Sequence, residues 1–395
     1  MKVTEIKTFV CHCYRANWVF VKVLTDEGAY GVGEATLEMR ELTVAQAVKE
    51  LERDLVGKDP GDIERFWHDA RRDSYWRDGP VLMSALSAVE MALWDIKGKV
   101  LGVPVYQLLG GKVRDTVPCY ANGWVAGAKK PQEFAEKARA VVDMGFEYLK
   151  WDPFGSSYMH LGPQEFRAAM DCVRAVAEAV GDRALLLIEG HGRFTIQTAV
   201  RVGRALGEFN VEWFEEPIAP YDNDGLAQVK SRIDVPVAAG ERLYGRWDFR
   251  DFLQGRCADV IQPDVSHAGG LMEMKKIAAM AECYDVPICP HNPSGPVANA
   301  ATLQLAACVP NFYLLETMVR DVPYRRAISD ERVVLTNGCM QIGDRPGLGI
   351  DIDEEKIAEH PYQRRRLRHY TGRLTESRPP DATAYYEIMN DESRS

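Results

Sequence analysis

From Val117 onward the 395-residue chain alternates short apolar runs with amphipathic stretches of helical period. The runs fall at 117–121, 147–151, 184–189, 212–215, 235–240, 259–262, 286–290 and 313–316. Continuous apolar runs of this length suit strands buried on both faces. Between them, 131–144 and 163–180 read as helices, the second with Phe166, Met170, Val173, Ala177 and Val180 on one face. Gly145 and Gly181 are natural helix stops. Eight strands alternating with helices predict a closed parallel barrel rather than an open sheet.

The first 115 residues follow another pattern. Residues 3–13 and 19–24 alternate polar with apolar, Asp26-Glu27-Gly28 makes a turn, and 29–34 follows, predicting three antiparallel strands. Helical spacing appears at 43–56, 60–72 and 81–100, with Ala85, Ala88, Val89, Ala92 and Ile96 on one side, and Gly102 and Pro104 end the last stretch. An α+β unit at 1–115 followed by a barrel at 116–350 is the expected organisation. Residues 351–395 are polar and aromatic without clear period. They are expected to pack back on the first unit or to trail away.

The chemistry sits at the strand ends. Glu189, Glu215 and Glu241 each close an apolar run, and each lies 26 residues after the last. A carboxylate repeated once per strand–helix unit points several acids into one barrel mouth. Hard oxygen ligands there suit a magnesium ion, whereas salt-bridged floor charges would sit at strand starts. Three carboxylates leave coordination positions open for substrate oxygens. His191 lies two residues past Glu189, in Glu-Gly-His-Gly-Arg. A solvated loop histidine is the alternative, but beside a metal ligand an imidazole near neutral pKa suits proton transfer. His291 follows the seventh run and Asp264 ends the sixth, so neighbouring strands would form a dyad in which the carboxylate orients the imidazole. Lys150 and Asp152 end the second run; among acids, Lys150 reads as a substrate-binding cation rather than a snorkelling surface residue. Glu316 closes the eighth run as a substrate ligand or as support for His291. Trp18 and Trp76-Arg77 are candidate lid residues.

Composition narrows the function classes. An apolar fraction of 46% and a charged fraction of 27% describe an ordinary globular chain. The net charge of −10 argues against nucleic acid and anionic lipid as partners, so an anionic substrate needs local positive charge or a metal. Residues 1–10 lack a signal-peptide core and no apolar run approaches membrane-spanning length. The nine cysteines show no zinc or disulfide spacing. Cys11-His12-Cys13 lies in an alternating strand and reads as structural. A cytoplasmic location is the expectation.

Together these residues resemble the enolase superfamily, specifically its mandelate racemase subgroup. The resemblance spans nearly the whole chain. It rests on Val-Gly-Glu-Ala, Leu-Trp-Asp-Ile-Lys-Gly-Lys, Leu-Leu-Gly-Gly-Lys, Trp-Phe-Glu-Glu-Pro, Ala-Gly-Glu-Arg, Gln-Pro-Asp and Pro-Gly-Leu-Gly, and on the 27-residue Asp264–His291 interval. It implies an α/β fold, a modified (β/α)7β TIM-type barrel with an N-terminal α+β capping domain. Tyr-Ala-Asn-Gly-Trp (120–124), Leu-Lys-Trp-Asp-Pro-Phe-Gly (149–155) and Leu-Ile-Glu-Gly-His-Gly-Arg-Phe (187–194) are similar to sugar-acid dehydratases, the gluconate dehydratases most closely. That likeness implies a Mg2+-dependent hydro-lyase acting on an aldonate such as D-gluconate or D-galactonate. Asn122 and Asp152 join Lys150, Glu316 and Trp18 as the expected substrate-binding residues, with a homo-oligomer, dimer or octamer, as the assembly. Two positions depart from the wider subgroup. Its Lys-x-Lys pair here reads Lys150-Trp151-Asp152, removing the usual second base of a racemase, and Glu189 stands where aspartate is usual. A racemase, epimerase or cycloisomerase on the same scaffold is the alternative reading. A metal-binding protein without turnover is a third, which the retained set of acids and histidines disfavours.

Overall fold

The structure is a computed structural model that describes residues 1–366 and 369–389. Its N-terminal unit opens with an antiparallel sheet of β1 (Val3–His12), β2 (Asn17–Thr25) and β3 (Tyr30–Glu34). Thr25 N–H donates to Ala29 O across the turn, with Gly28 at a φ of +81°. The 22-residue helix Pro80–Leu101 packs along this sheet. Glycine makes that packing possible: a Cβ on Gly31 would meet Ala92 O at 2.0 Å, and one on Gly33 would meet Ala88 O at 1.9 Å. The expected helix at 43–56 is two, Glu41–Glu50 and Glu52–Leu55, and the next is Ile63–Asp73.

The barrel follows. Its parallel strands are β4 (Thr116–Asn122), β5 (Tyr148–Trp151), β6 (Leu185–Glu189), β7 (Val211–Glu215), β8 (Val237–Ala239) and β9 (Val260–Ile261). The seventh expected strand is reduced to Ile288, which bridges in parallel to Ile261 and to Phe312. The eighth, β10 (Leu315–Met318), pairs in parallel with β4 and closes the ring. Seven helices connect these strands, from Pro131–Val142 to Pro296–Cys308, and no helix directly follows β10. Tyr120, Leu187, Trp213, Ala238, Val260, Cys289 and Leu314 fill the barrel interior below the mouth.

Buried acids of the N-terminal unit fasten it to the barrel. Glu34 accepts from Gly295 N (2.6 Å) and Ala298 N (2.9 Å), at the start of helix Pro296–Cys308. Glu90 accepts from Leu271 N (2.8 Å) and Met272 N (2.9 Å), at the start of helix Leu271–Glu282. Each carboxylate takes up free N–H groups at a positive helix end.

A hairpin absent from the sequence reading, β11 (Val334–Thr336) and β12 (Cys339–Gln341), turns at Asn337-Gly338 and pairs with the start of β4. Its strands are too short to show alternation, although Asn-Gly is itself a hairpin signal. The chain then returns to the first unit: helix Glu354–Ala358 packs near β1, Cys11 bridges to Pro361, and Gln363 N–H donates to Asn17 Oδ1. Instead of trailing away, residues 369–377 then run along the barrel mouth, and β13 (Glu387–Ile388) pairs with β11. Backbone and side-chain hydrogen bonds hold this segment, so no apolar period marks it.

Candidate active site

Strand parity builds the site. Successive strand residues point to opposite faces, so the position two beyond each interior-filling residue also faces the barrel axis. Tyr120 is thus followed by Asn122, Tyr148 by Lys150, Leu187 by Glu189, Trp213 by Glu215 and Leu314 by Glu316. Glu189 and Glu215 are direct cross-strand partners. Glu241 joins them from just beyond β8, after Gly240 at a φ of +133°. Carboxylate oxygens of all three lie within 4.8 Å of one another.

Burial raises the pKa of Glu189, and burial with the neighbouring Glu189 charge raises that of Glu215 well above the usual range. Burial alone would raise Glu241 too, yet His291 and Arg242 hold it down at about 2. Lys150 Nζ is the internal counter-charge, 2.6 Å from Glu215, 3.2 Å from Glu316 and 3.7 Å from Glu189. One ammonium among the three buried carboxylates Glu189, Glu215 and Glu316 leaves a negative excess that a divalent cation would relieve. The all-oxygen donor set suits Mg2+, and the residues present therefore fit that ion.

The two histidines flank this cluster. His291 Nδ1 is 2.7 Å from Asp264 Oδ2, and its Nε2 is 3.6 Å from Glu241. Burial disfavours the imidazolium, but Glu241 and Asp264 outweigh it and raise the pKa to about 10. Opposite, His191 Nδ1 is 2.8 Å from Asp152 Oδ2, and Asp152 also pairs with Arg193. His191 N–H donates to Glu189 Oε1 at 2.6 Å, tying the His191 backbone to the carboxylate cluster. The flanking glycines serve close protein contacts: a Cβ on Gly190 would meet Glu216 O at 2.8 Å, and one on Gly192 would meet Arg242 Nη2 at 2.4 Å. Glu316 accepts from Asn122 Nδ2 (2.6 Å) and Asn292 N (2.7 Å), and with Lys150 these hold it at about 2 against burial.

These groups line a cavity of about 320 Å³. Glu189, Glu241, His191, His291, Lys150, Asp152, Glu316 and Asn122 all face it; Glu215 lies directly behind, and Asp264 lies behind His291. Trp18 does not. It is 2% exposed and packs on Phe20 within the capping sheet, on a stretch of β2 (residues 17–21) that is buried at every position. Trp76 is 78% exposed and also lies off the cavity wall. Three wall elements escaped the sequence reading. His267 sits 3.7 Å from Asp264 and 2.7 Å from Ser84 Oγ. Glu38 and Arg15 pair at 2.8 Å. His369 lies beside His191 with the rings tilted and their centroids 4.9 Å apart, and Tyr370 O–H donates to His191 O at 2.7 Å. Only the three-residue offset of His267 from Asp264 could have signalled one of them.

Residues 2–110 match the mandelate racemase/muconate lactonizing enzyme N-terminal domain, and residues 133–356 match the enolase C-terminal domain-like family. The chain belongs to the mandelate racemase branch of the enolase superfamily. Among relatives of this enzyme, the D-gluconate dehydratase of Thermoproteus tenax is 38% identical over 87% of this chain and 71% of that one. The D-galactonate dehydratase of Variovorax paradoxus (strain S110) is 38% identical over 90% of this chain and 94% of its own. A solved structure from Mesorhizobium loti superposes with a TM-score of 0.87 at 35% identity, covering 92% of this superfamily member and 99% of that chain. Among the described residues, no helix is long and apolar enough to cross a membrane.

Proposed function

We propose that this enzyme dehydrates an aldonate of the D-gluconate or D-galactonate type to its 2-keto-3-deoxy acid, with Mg2+ held by Glu189, Glu215 and Glu241. One observation carries the reading. Two imidazoles flank the carboxylate cluster, each with Nδ1 tied to its own aspartate, so that Nε2 is the atom each ring has for proton transfer, that of His291 lying 3.6 Å from Glu241. The relatives described as gluconate and galactonate dehydratases support the substrate class.

A hydrogen next to a carboxylate is weakly acidic, so its removal needs concentrated positive charge beside that carboxylate. A bound Mg2+ would supply most of that charge. Lys150 Nζ adds to it from within the cluster. His291 Nε2 removes the C2 proton, and Asp264 keeps the ring in place and stabilises the imidazolium that results. His191 Nε2 gives its proton to the departing C3 hydroxyl, with Asp152 holding the ring. Loss of water leaves an enol that becomes the 2-keto-3-deoxy acid. Asp152, engaged by His191 and Arg193, is no second base, which disfavours two-base racemisation. The test is keto-acid formation by purified protein with Mg2+ and a panel of aldonic and aldaric acids. EDTA-sensitive product from gluconate or galactonate is expected; no keto acid from any of them would overturn the reading.

A further inference from the structure

A second cavity, of about 740 Å³, opens beside the catalytic one and shares Arg15 and Ser377 with its wall. Its character is different. Arg364, Arg365, Arg366 and Arg373 line it against a single acid, Glu376, and all four guanidinium-bearing residues are exposed. Among the described residues none of the four pairs with a carboxylate: Arg365 leans on the Tyr14 ring (5.6 Å) and donates to Gln363 Oε1 (3.3 Å). This concentration of unpaired positive charge occurs in a chain of net charge −10, next to a cavity lined by carboxylates. Gathering like charges on one wall is unfavourable unless an anion offsets it. An anionic substrate approaching the catalytic cavity would otherwise meet negative potential.

We propose that this arginine chamber is an entry vestibule that captures small organic carboxylates and passes them across the Arg15–Ser377 boundary into the catalytic cavity. The proposal rests on the sugar-acid reading above for the identity of its anion. A cleft lined by one sign of charge raises the local concentration of the opposite ion, and salt weakens the effect. Guanidinium groups also offer paired donors that match a carboxylate. Arg15 marks the limit of the chamber, because its charge is already neutralised by Glu38 at 2.8 Å.

The test compares wild type with R364Q/R366Q/R373Q in the full chain, following kcat/KM for D-gluconate or D-galactonate across ionic strength. Gluconate and inorganic phosphate binding are measured in parallel by calorimetry. The substituted residues are exposed, and R364K/R366K/R373K, which keeps the charge, controls for folding. The glutamine variant is expected to lose about tenfold in kcat/KM at low salt, mostly through KM. The loss should vanish at high salt, and the lysine variant should restore most of it. Equal kcat/KM and equal salt dependence in wild type and glutamine variant would overturn the vestibule while leaving the dehydratase reading intact. A wild type that makes no keto acid but binds gluconate only with the arginines present would sink the dehydratase reading and keep the vestibule. Phosphate binding that the arginines support, without any effect on gluconate, would replace it with a separate anion site. Absence of arginine-dependent binding of either anion would overturn it outright.

Discussion

At the scale of single residues, neighbouring charges and burial set the histidines of the site. His291 reaches about 10 because Glu241 and Asp264 outweigh the penalty of burial. A histidine whose folded pKa is raised stabilises the fold fully below its ordinary value of about 6.5, and loses that contribution as pH climbs towards 10. His291→Asn should therefore flatten the stability of metal-free protein across that window, as read by denaturant unfolding at several pH values. His369 has the opposite sign: burial and then the His191 charge hold it at about 4, so it weakens the fold as pH falls from about 6.5 towards 4. Mg2+ on Glu241 would cancel the attraction that keeps His291 protonated. The His291 titration, followed by NMR, should move down when Mg2+ is added; an unmoved midpoint would count against Glu241 as a ligand. The strand-end acids and the Asp264–His291 dyad were readable from spacing, because each falls at a fixed offset from an apolar run; the pairing of Asp152 with His191 was not, since nothing in the interval between them marks a contact. His369 was not readable, since its contact with His191 spans 178 positions and depends on an aperiodic segment.

At the scale of elements, parity did the positioning. Asn122, Lys150, Glu189, Glu215 and Glu316 each lie two positions beyond a residue of the barrel interior, so the same alternation that builds the core aims that chemistry, while Glu241 enters from the loop after β8. The seventh strand was legible as an apolar run, yet only Ile288 bridges there, because Pro287 and Pro290 lack N–H donors for a longer ladder. Trp18 is a counter-case: an aromatic beside a tight link looks like a lid, yet it sits where β2 is buried at five consecutive positions. The join between β3 and helix Pro80–Leu101 yields a sharp test. Gly31→Ala forces a methyl against Ala92 O and should destabilise by about 1–3 kcal/mol, measured by chemical denaturation, with the active-site chemistry kept in the folded fraction.

At the scale of the molecule, function and stability oppose each other at the carboxylate cluster. Glu189 and Glu215 are raised by burial in the metal-free protein, so the fold tolerates charge that a cation would neutralise. Glu215→Gln should raise the thermal midpoint without metal and abolish most of the further rise on adding Mg2+. In wild type, Mg2+ at about 100 times its dissociation constant should add about 2.7 kcal/mol. A wild-type midpoint indifferent to Mg2+ would remove the metal from the account. The capping unit is tied to the same end of the barrel by Glu34 and Glu90, so it and residues 369–377 share the mouth with the strand ends.

The division of labour between the two histidines is tested most directly by NMR in D2O with Mg2+ and the turned-over aldonate, comparing wild type, His191→Asn and His291→Asn. Wild type should form the keto acid, His191→Asn should exchange the C2 hydrogen for deuterium with dehydration lost by about 10²–10⁴-fold, and His291→Asn should do neither. C2 exchange surviving in His291→Asn, or product forming at the wild-type rate in His191→Asn, would contradict the assignment of base and acid.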